Sequence, residues 1–231
     1  MLFNSIQFAL FLPIVFLLYW LATNKSLKLQ NALLLVSSYF FYGCWDYRFL
    51  FLLIFSILLD YFSGIKISET KNQAQKKGWL FLSIGVNLGF LGIFKYYNFF
   101  IDSFSDALVQ IGIKTNFATL NVLLPVGISF YTFETLSYVI DVYRGTARPT
   151  RSLLDYAVFV TFFPRLVAGP IMRASQFLPK LYRGLQFSRE NFLAGAQLFA
   201  QGLIKKVVVA DWVAYVVDAV YDNPDIFSSS T

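Results

Sequence analysis

Four ionisable residues lie inside otherwise apolar stretches of the sequence: Asp60, Glu134, Arg165 and Lys205. At bilayer depth a charged side chain costs about 3 kcal/mol or more unless it is paired or hydrated, so each is a candidate functional group. Glu134 and Arg165 have complementary chemistry, because a carboxylate in hydrocarbon needs a cation and Arg165 sits in an interrupted segment. The alternative keeps them apart, with Glu134 bonded to neighbouring tyrosines and Arg165 reaching headgroup phosphates. The chain has no histidine and one cysteine, Cys44. That excludes Ser-His-Asp and Cys-His catalysis, metal sites built on His or Cys, and an internal disulfide. GxGxxG, P-loop and GxSxG patterns are absent as well. No metal or bound cofactor is expected, the buried ionisable residues are what remains, and Cys44 reads as a small buried apolar residue.

The elements that must position these groups are membrane helices. The composition is 57% hydrophobic and 14% charged, with a mean hydropathy of +0.59; soluble domains carry roughly 25% charge. The pattern predicts an all-α, polytopic integral membrane helical bundle in a single transmembrane domain, residues 1–231. Spans are expected near 6–22, 31–44, 49–65, 79–99 and 120–140, with a re-entrant or broken helix at 153–171 and an amphipathic helix at 192–220. Tyr19-Trp20, Trp45, Tyr47, Trp79 and Tyr96-Tyr97 form an aromatic belt at the ends of these runs. The net charge of +6 comes from Lys and Arg in short loops, the mark of a cytoplasmic face, and implies a lipid bilayer as partner and no nucleic acid. No cation precedes the first run, whereas Lys25 and Lys28 follow it, which places the N-terminus outside on an uncleaved anchor helix kinked at Pro13. Gly64 reads as a helix stop, Gly85, Gly89 and Gly92 as sites of close helix contact, Lys95 as a snorkelling cation, and 101–113 as a separate interfacial helix.

On a helix through 124–145, Gly127, Tyr131, Glu134, Tyr138 and Asp141 fall within about 80° of arc. The opposite faces are Phe, Leu, Val and Ile, so one side meets lipid and the other something polar. The following run is broken by Phe163-Pro164-Arg165-Leu166-Val167-Ala168-Gly169-Pro170. A full crossing there would leave Arg173, Lys180, Arg183 and Arg189 outside, against the positive-inside tendency, and a re-entrant segment removes the conflict. Irregular backbone at that depth must be buried in protein or line a cavity. Pro164, Arg165, Gly169 and Pro170 therefore join Tyr131, Glu134, Tyr138 and Asp141 as candidates for a cavity wall or substrate path. In 192–220, Gln197, Gln201, Lys205, Asp211 and Asp218 share about 140° of helix surface. That face is either solvated at an interface or edges a polar cavity, and Lys205 is a candidate on the second reading.

Pro125-Val126-Gly127-Ile128-Ser129-Phe130-Tyr131, Glu134, Ser137-Tyr138 and Asp141-Val142-Tyr143-Arg144-Gly145 resemble the signature helix of the membrane-bound O-acyltransferase family. Phe163 to Ile171 resembles its Phe-Pro-x-Leu-x-Ala-Gly-Pro segment. Phe94-Lys95-Tyr96-Tyr97-Asn98-Phe99, Gly202-Leu203-Ile204-Lys205-Lys206-Val207 and Met1-Leu2-Phe3-Asn4-Ser5 match too. The similarity is to the alginate O-acetyltransferase branch and covers its N-terminal half. It implies an enzyme of the bacterial cytoplasmic (inner) membrane that moves an acyl group, usually acetyl, onto hydroxyls of an exported polysaccharide. An acyl donor (acetyl-CoA or an acyl carrier), a polysaccharide acceptor and envelope acetylation partner proteins are implied with it. The family's catalytic histidine lies in a later part of the fold, so the resemblance implies no catalytic residue in this chain, which alone is expected to be inactive. Readings from other classes are a non-catalytic membrane scaffold and a transporter-like component of an envelope modification system.

Overall fold

A computed structural model describes residues 3–22, 26–111, 124–167, 169–183 and 186–222. Among them every regular element is a helix, and the chain forms two compact units, Met1–Phe16 with Leu185–Thr231, and Leu17–Gly184. Two helical stretches, Arg48–Glu69 and Gln73–Gln110, are long and apolar enough to cross a bilayer. Together with the composition they make this an all-α membrane protein.

The N-terminal helix α1 (Ile6–Leu17) runs on into a π-helical turn, Leu18–Ala22, without stopping at Pro13. In the larger unit, α2 (Leu27–Asp46) and α3 (Arg48–Glu69) meet at a one-residue turn. Asp46 clamps that turn through a 2.6 Å ion pair with Arg48. Next, α4 (Gln73–Leu91) is capped by Asn72, whose side chain accepts the Ala74 N–H at 2.9 Å. It passes through a π-helical turn, Gly92–Tyr96, directly into α5 (Tyr97–Gln110). The separate interfacial helix expected at 101–113 is thus the end of one continuous helix, since the π turn absorbs an extra residue without a break. Residues 112 and 113, and 120–123 of the expected span at 120–140, lie outside the described residues.

The core of this unit forms where α3 packs on α4 and on α6 (Ile128–Tyr143), α4 on α6, and α2 on α7 (Leu153–Thr161). Small polar residues line these seams, Ser38, Ser63, Ser83, Thr135 and Thr161 being fully buried. That is how helices approach closely where lipid offers no hydrophobic drive to pack. Large apolar side chains such as Phe51, Phe81 and Phe100 point outward instead, each more than 60% exposed.

Three expectations for single residues are corrected. Gly64 does not stop α3; it is buried mid-helix, and a Cβ there would stand 2.9 Å from the Tyr138 ring. A Cβ at Gly85, Gly89 or Gly92 would meet no neighbouring helix within 4 Å, because α4 presents Ser83, Asn87 and Leu91 to its neighbours. Cys44 is exposed, because it lies in the last turn of α2 beyond its last buried position, Tyr42.

The larger unit is completed by α8 (Phe163–Leu166) and α9 (Ala174–Leu181). Ala174, Phe177, Leu178 and Leu181 of α9 are buried, an i, i+3, i+4, i+7 stripe. The other unit joins α1 to α10 (Arg189–Ile204), a π-helical segment Lys205–Ala210 and α11 (Asp211–Asp222). Phe8 stacks on Phe199 at 6.4 Å, and Phe16 meets Phe192 at 5.4 Å. An ion pair between Lys206 and Asp211 bridges the π-helical segment.

Candidate functional site

The interrupted run owes its geometry to two residue types. α7 ends at Phe162, where ψ swings to 104°, and Pro164 opens α8 at a position where its missing N–H leaves no helical bond unmade. The Phe163 N–H is met by Ser38 Oγ at 3.2 Å, tying the break to α2. The chain then doubles back, the Gly169 N–H donating to the Arg165 carbonyl at 2.9 Å. Gly169 sits so close to Arg165 that no Cβ could be placed there. Gly127, at φ +76°, lies against the other side, where a Cβ would come within 2.6 Å of the Leu166 carbonyl oxygen. A left-handed glycine before α6 and a glycine after α8 allow the two segments to close on each other.

That closure brings Arg165 to Glu134. Nη1 stands 2.6 Å from Glu134 Oε1, with both side chains 8% exposed. The contact is a buried ion pair between a guanidinium and a carboxylate. Nη2 donates to the Phe159 carbonyl, one of the last carbonyls of α7 and hence without a helical partner. The guanidinium lies 5.2 Å from the Phe159 ring centroid and 4.4 Å from that of Phe177. The Met172 N–H also faces the Glu134 carboxylate. Arg165 thus neutralises a buried acid, caps a helix C-terminus and packs between two aromatic faces. Held at Nη1 by the carboxylate and at Nη2 by the carbonyl, it is suited to fixing a wall and not to moving a proton.

The other sequence candidates divide clearly. Tyr131 and Tyr138 share the buried face of α6 with Glu134. Tyr138 OH accepts the Thr150 N–H at 3.3 Å, and its ring lies 4.6 Å from that of Tyr156. Asp141 is half-buried near the end of α6, and its carbonyl takes the Thr146 and Ala147 N–H groups at 2.9 and 3.2 Å to close the helix. Gly127 precedes the helix, so the expected five-residue polar stripe loses its first member. Pro164 and Pro170 are exposed, Gly169 is half-buried, and Ala168 lies outside the described residues. Lys205 is exposed in the other unit. Lys95, read as snorkelling, reaches Ser129 Oγ at 3.4 Å and lies over the Tyr96 ring.

A second buried polar centre joins α3, α4 and α6. Asp60, fully buried, accepts from Ser83 Oγ at 2.6 Å and from Asn87 Nδ2 at 3.0 Å to each oxygen, with Thr135 alongside. The signal was legible in principle: Ser83 and Asn87 are the polar pair, spaced i, i+4, on an otherwise apolar helix. Asn31 of α2, missed altogether, donates to Asp155 Oδ1 at 2.7 Å and to the Leu181 carbonyl at 3.3 Å. At the end of the unit, Tyr182 OH donates to Thr150 Oγ1 at 2.8 Å, and burial raises the pKa of that phenol. Among the described residues, no three His, Cys, Asp or Glu side chains converge as metal ligands do.

The chain is 42% identical over 220 residues, 94% of its length, to a probable alginate O-acetylase of Pseudomonas putida, of which it covers 44%. It is 39% identical over 94% of its length to a probable alginate O-acetylase of Pseudomonas aeruginosa, covering 41% of that protein. To a peptidoglycan O-acetyltransferase of Helicobacter pylori it is 35% identical over 96% of its length, covering 47%. The chain therefore spans somewhat under half the length of these curated relatives. No protein-family model matches it, and no solved structure does.

Proposed function

We propose that this chain, a relative of the alginate O-acetylases within the membrane-bound O-acyltransferases, forms the N-terminal portion of an enzyme that acetylates an exported polysaccharide. The identity to O-acetyltransferases across nearly the whole chain carries this reading. The acceptor is a hydroxyl of a polymer such as alginate, and the donor is an acetyl thioester, acetyl-CoA or an acyl carrier. In the transfer, the acceptor oxygen attacks the thioester carbonyl, the C–S bond breaks, and the hydroxyl proton passes through a base to the departing thiolate. With no histidine in 231 residues, this reading leaves that base to the part of such an enzyme that these residues do not match, and has the chain inactive by itself. What these residues contribute is the wall: Glu134 and Arg165 hold the broken segment as a rigid re-entrant turn, and Tyr131 and Tyr138 line the same face.

The reading also places the protein in the bacterial cytoplasmic membrane with its N-terminus outside, the basic loops on the cytoplasmic side, and envelope acetylation proteins as partners. The test is the alkali-released acetate of exported polysaccharide and of peptidoglycan, in cells with and without the intact gene. Acetate lost from one of the two polymers, and not restored by the Glu134→Gln protein, supports it. Acetate unchanged in both overturns it.

A further inference from the structure

One end of the larger unit carries charge that the buried site does not use. Between residues 144 and 183 the chain has seven Lys or Arg and a single acid, Asp155. Asp155 is engaged by Asn31, and Arg165 is the one cation of the seven in an ion pair among the described residues. The other six are all exposed. Within this field lies a cleft of about 280 Å³, formed by the loop after α6 and one side of α9. Arg148, Thr146, Ser175 and Tyr182 supply its polar groups, and Pro149 and Leu178 its apolar walls. Its floor is Thr150, 5% exposed and held from two sides, by Tyr182 OH at 2.8 Å and by its own N–H on Tyr138 OH at 3.3 Å. The cleft is therefore a preformed recess anchored to the core, and not a gap between mobile side chains.

We propose that this cleft binds a phosphate ester, with Arg148 and the Ser175 hydroxyl on the phosphate and the Pro149–Leu178 walls on the carbon atoms beside it. The chemistry follows from the lining. A guanidinium fork beside a hydroxyl donor matches phosphate oxygens, and a surplus of cations outside any ion pair among the described residues raises the local anion concentration. A recess of this volume takes one phosphate and a short carbon stem, not a whole nucleotide or acyl chain. Such an ester reaches the protein in one of two forms, as the headgroup of an anionic lipid or as a soluble phosphate ester. The proposal rests on charge and shape alone and stands apart from the acetyl-transfer reading.

The test measures binding to the full chain in uncharged detergent micelles. The probes are dihexanoyl phosphatidylglycerol and glycerol 3-phosphate, each alone and in competition, with dihexanoyl phosphatidylcholine as reference. Arg148→Gln should weaken binding at least tenfold. Lys71→Gln removes an exposed cation from the α3–α4 loop and should change binding less than twofold. Ser175→Ala should fall between them. Preference for the lipid assigns the headgroup as source, and preference for glycerol 3-phosphate assigns the soluble ester. Equal weakening by Arg148→Gln and Lys71→Gln would reduce the effect to a diffuse field and overturn the site, as would absence of binding by both phosphate probes. All three residues are exposed, and an unchanged melting temperature for each variant separates lost binding from lost fold.

Discussion

Replacing Arg165 by methionine removes three interactions at once, which makes the size of the loss informative. Glu134 is left buried without its cation, and uncompensated charges of this kind cost about 3–5 kcal/mol. The Phe159 carbonyl loses a charged donor at the C-terminus of α7, worth about 0.5–2 kcal/mol. Contact with the Phe159 and Phe177 rings at 5.2 and 4.4 Å adds about 1 kcal/mol that the thioether only partly replaces. The expected cost of Arg165→Met is therefore about 4–6 kcal/mol. Glu134→Gln also leaves a buried charge, but it keeps an acceptor facing Arg165 and the other two interactions, so its cost should lie at the low end of the range for an uncompensated charge, about 3 kcal/mol. In the double variant no buried charge remains without its partner, and the total should fall short of the summed single losses by at least about 2 kcal/mol. Unfolding of the four proteins in mixed micelles, followed by circular dichroism over a titration with a denaturing detergent, gives the cycle. Losses that add to within about 0.5 kcal/mol would show that the two side chains do not interact energetically. A larger loss for Glu134→Gln than for Arg165→Met would refute the assignment of the extra interactions to Arg165.

Three further outcomes are expected. Gly127 and Gly145 both have left-handed backbone, at φ +76° and +75°, but only Gly127 has a carbonyl in the way of a side chain. Asparagine tolerates that conformation, so Gly145→Asn should cost under about 1 kcal/mol and Gly127→Asn more than about 2 kcal/mol by the same unfolding assay; equal costs would remove the close approach to Leu166. Asp60→Asn retains acceptors and donors within the Ser83–Asn87 cluster and should cost about 1 kcal/mol. Asp60→Leu strands both partners and should cost about 3 kcal/mol; the reverse order in thermal denaturation would contradict the cluster as described. Cys44, the single cysteine and exposed, should react with a membrane-impermeant maleimide in intact spheroplasts, because the proposed orientation puts the α2–α3 turn outside. Labelling only after lysis would invert that topology.

How much of this was legible depended on whether a feature belongs to one helix or to two. Hydropathy placed α3 and α4 because a lipid-facing helix carries its own signal in its own residues. Glu134 and Arg165 were legible for the same reason: each is costly in its own segment, whatever lies across from it. What lies across was not. Asn31 carries no signal of its own at the start of an apolar run, and its bond to Asp155 joins residues 124 positions apart. The aromatic faces around Arg165 come from α7 and α9, and no spacing rule links Phe159 to Phe177. Glycines make the point most sharply, since three on α4 meet nothing while Gly64 on α3 is pressed against Tyr138; the residue type announces room for a neighbour but not whether one comes.

The broken segment shows how the two kinds of information combine. Pro164 and Gly169 each read locally as a departure from regular helix, whereas Gly127 read as part of the helix it in fact precedes. Arg165 reads locally as a charge that ought not to be in lipid. In the structure these are one device: the breaks permit the chain to turn back, and the turn delivers the cation to the end of α7 and to Glu134 on α6. A proline or glycine break in an apolar run is thus best weighed together with the charge it encloses. The break costs backbone hydrogen bonds that only a buried, polar-lined site can offset, and the charge needs a partner that only a break can bring within reach.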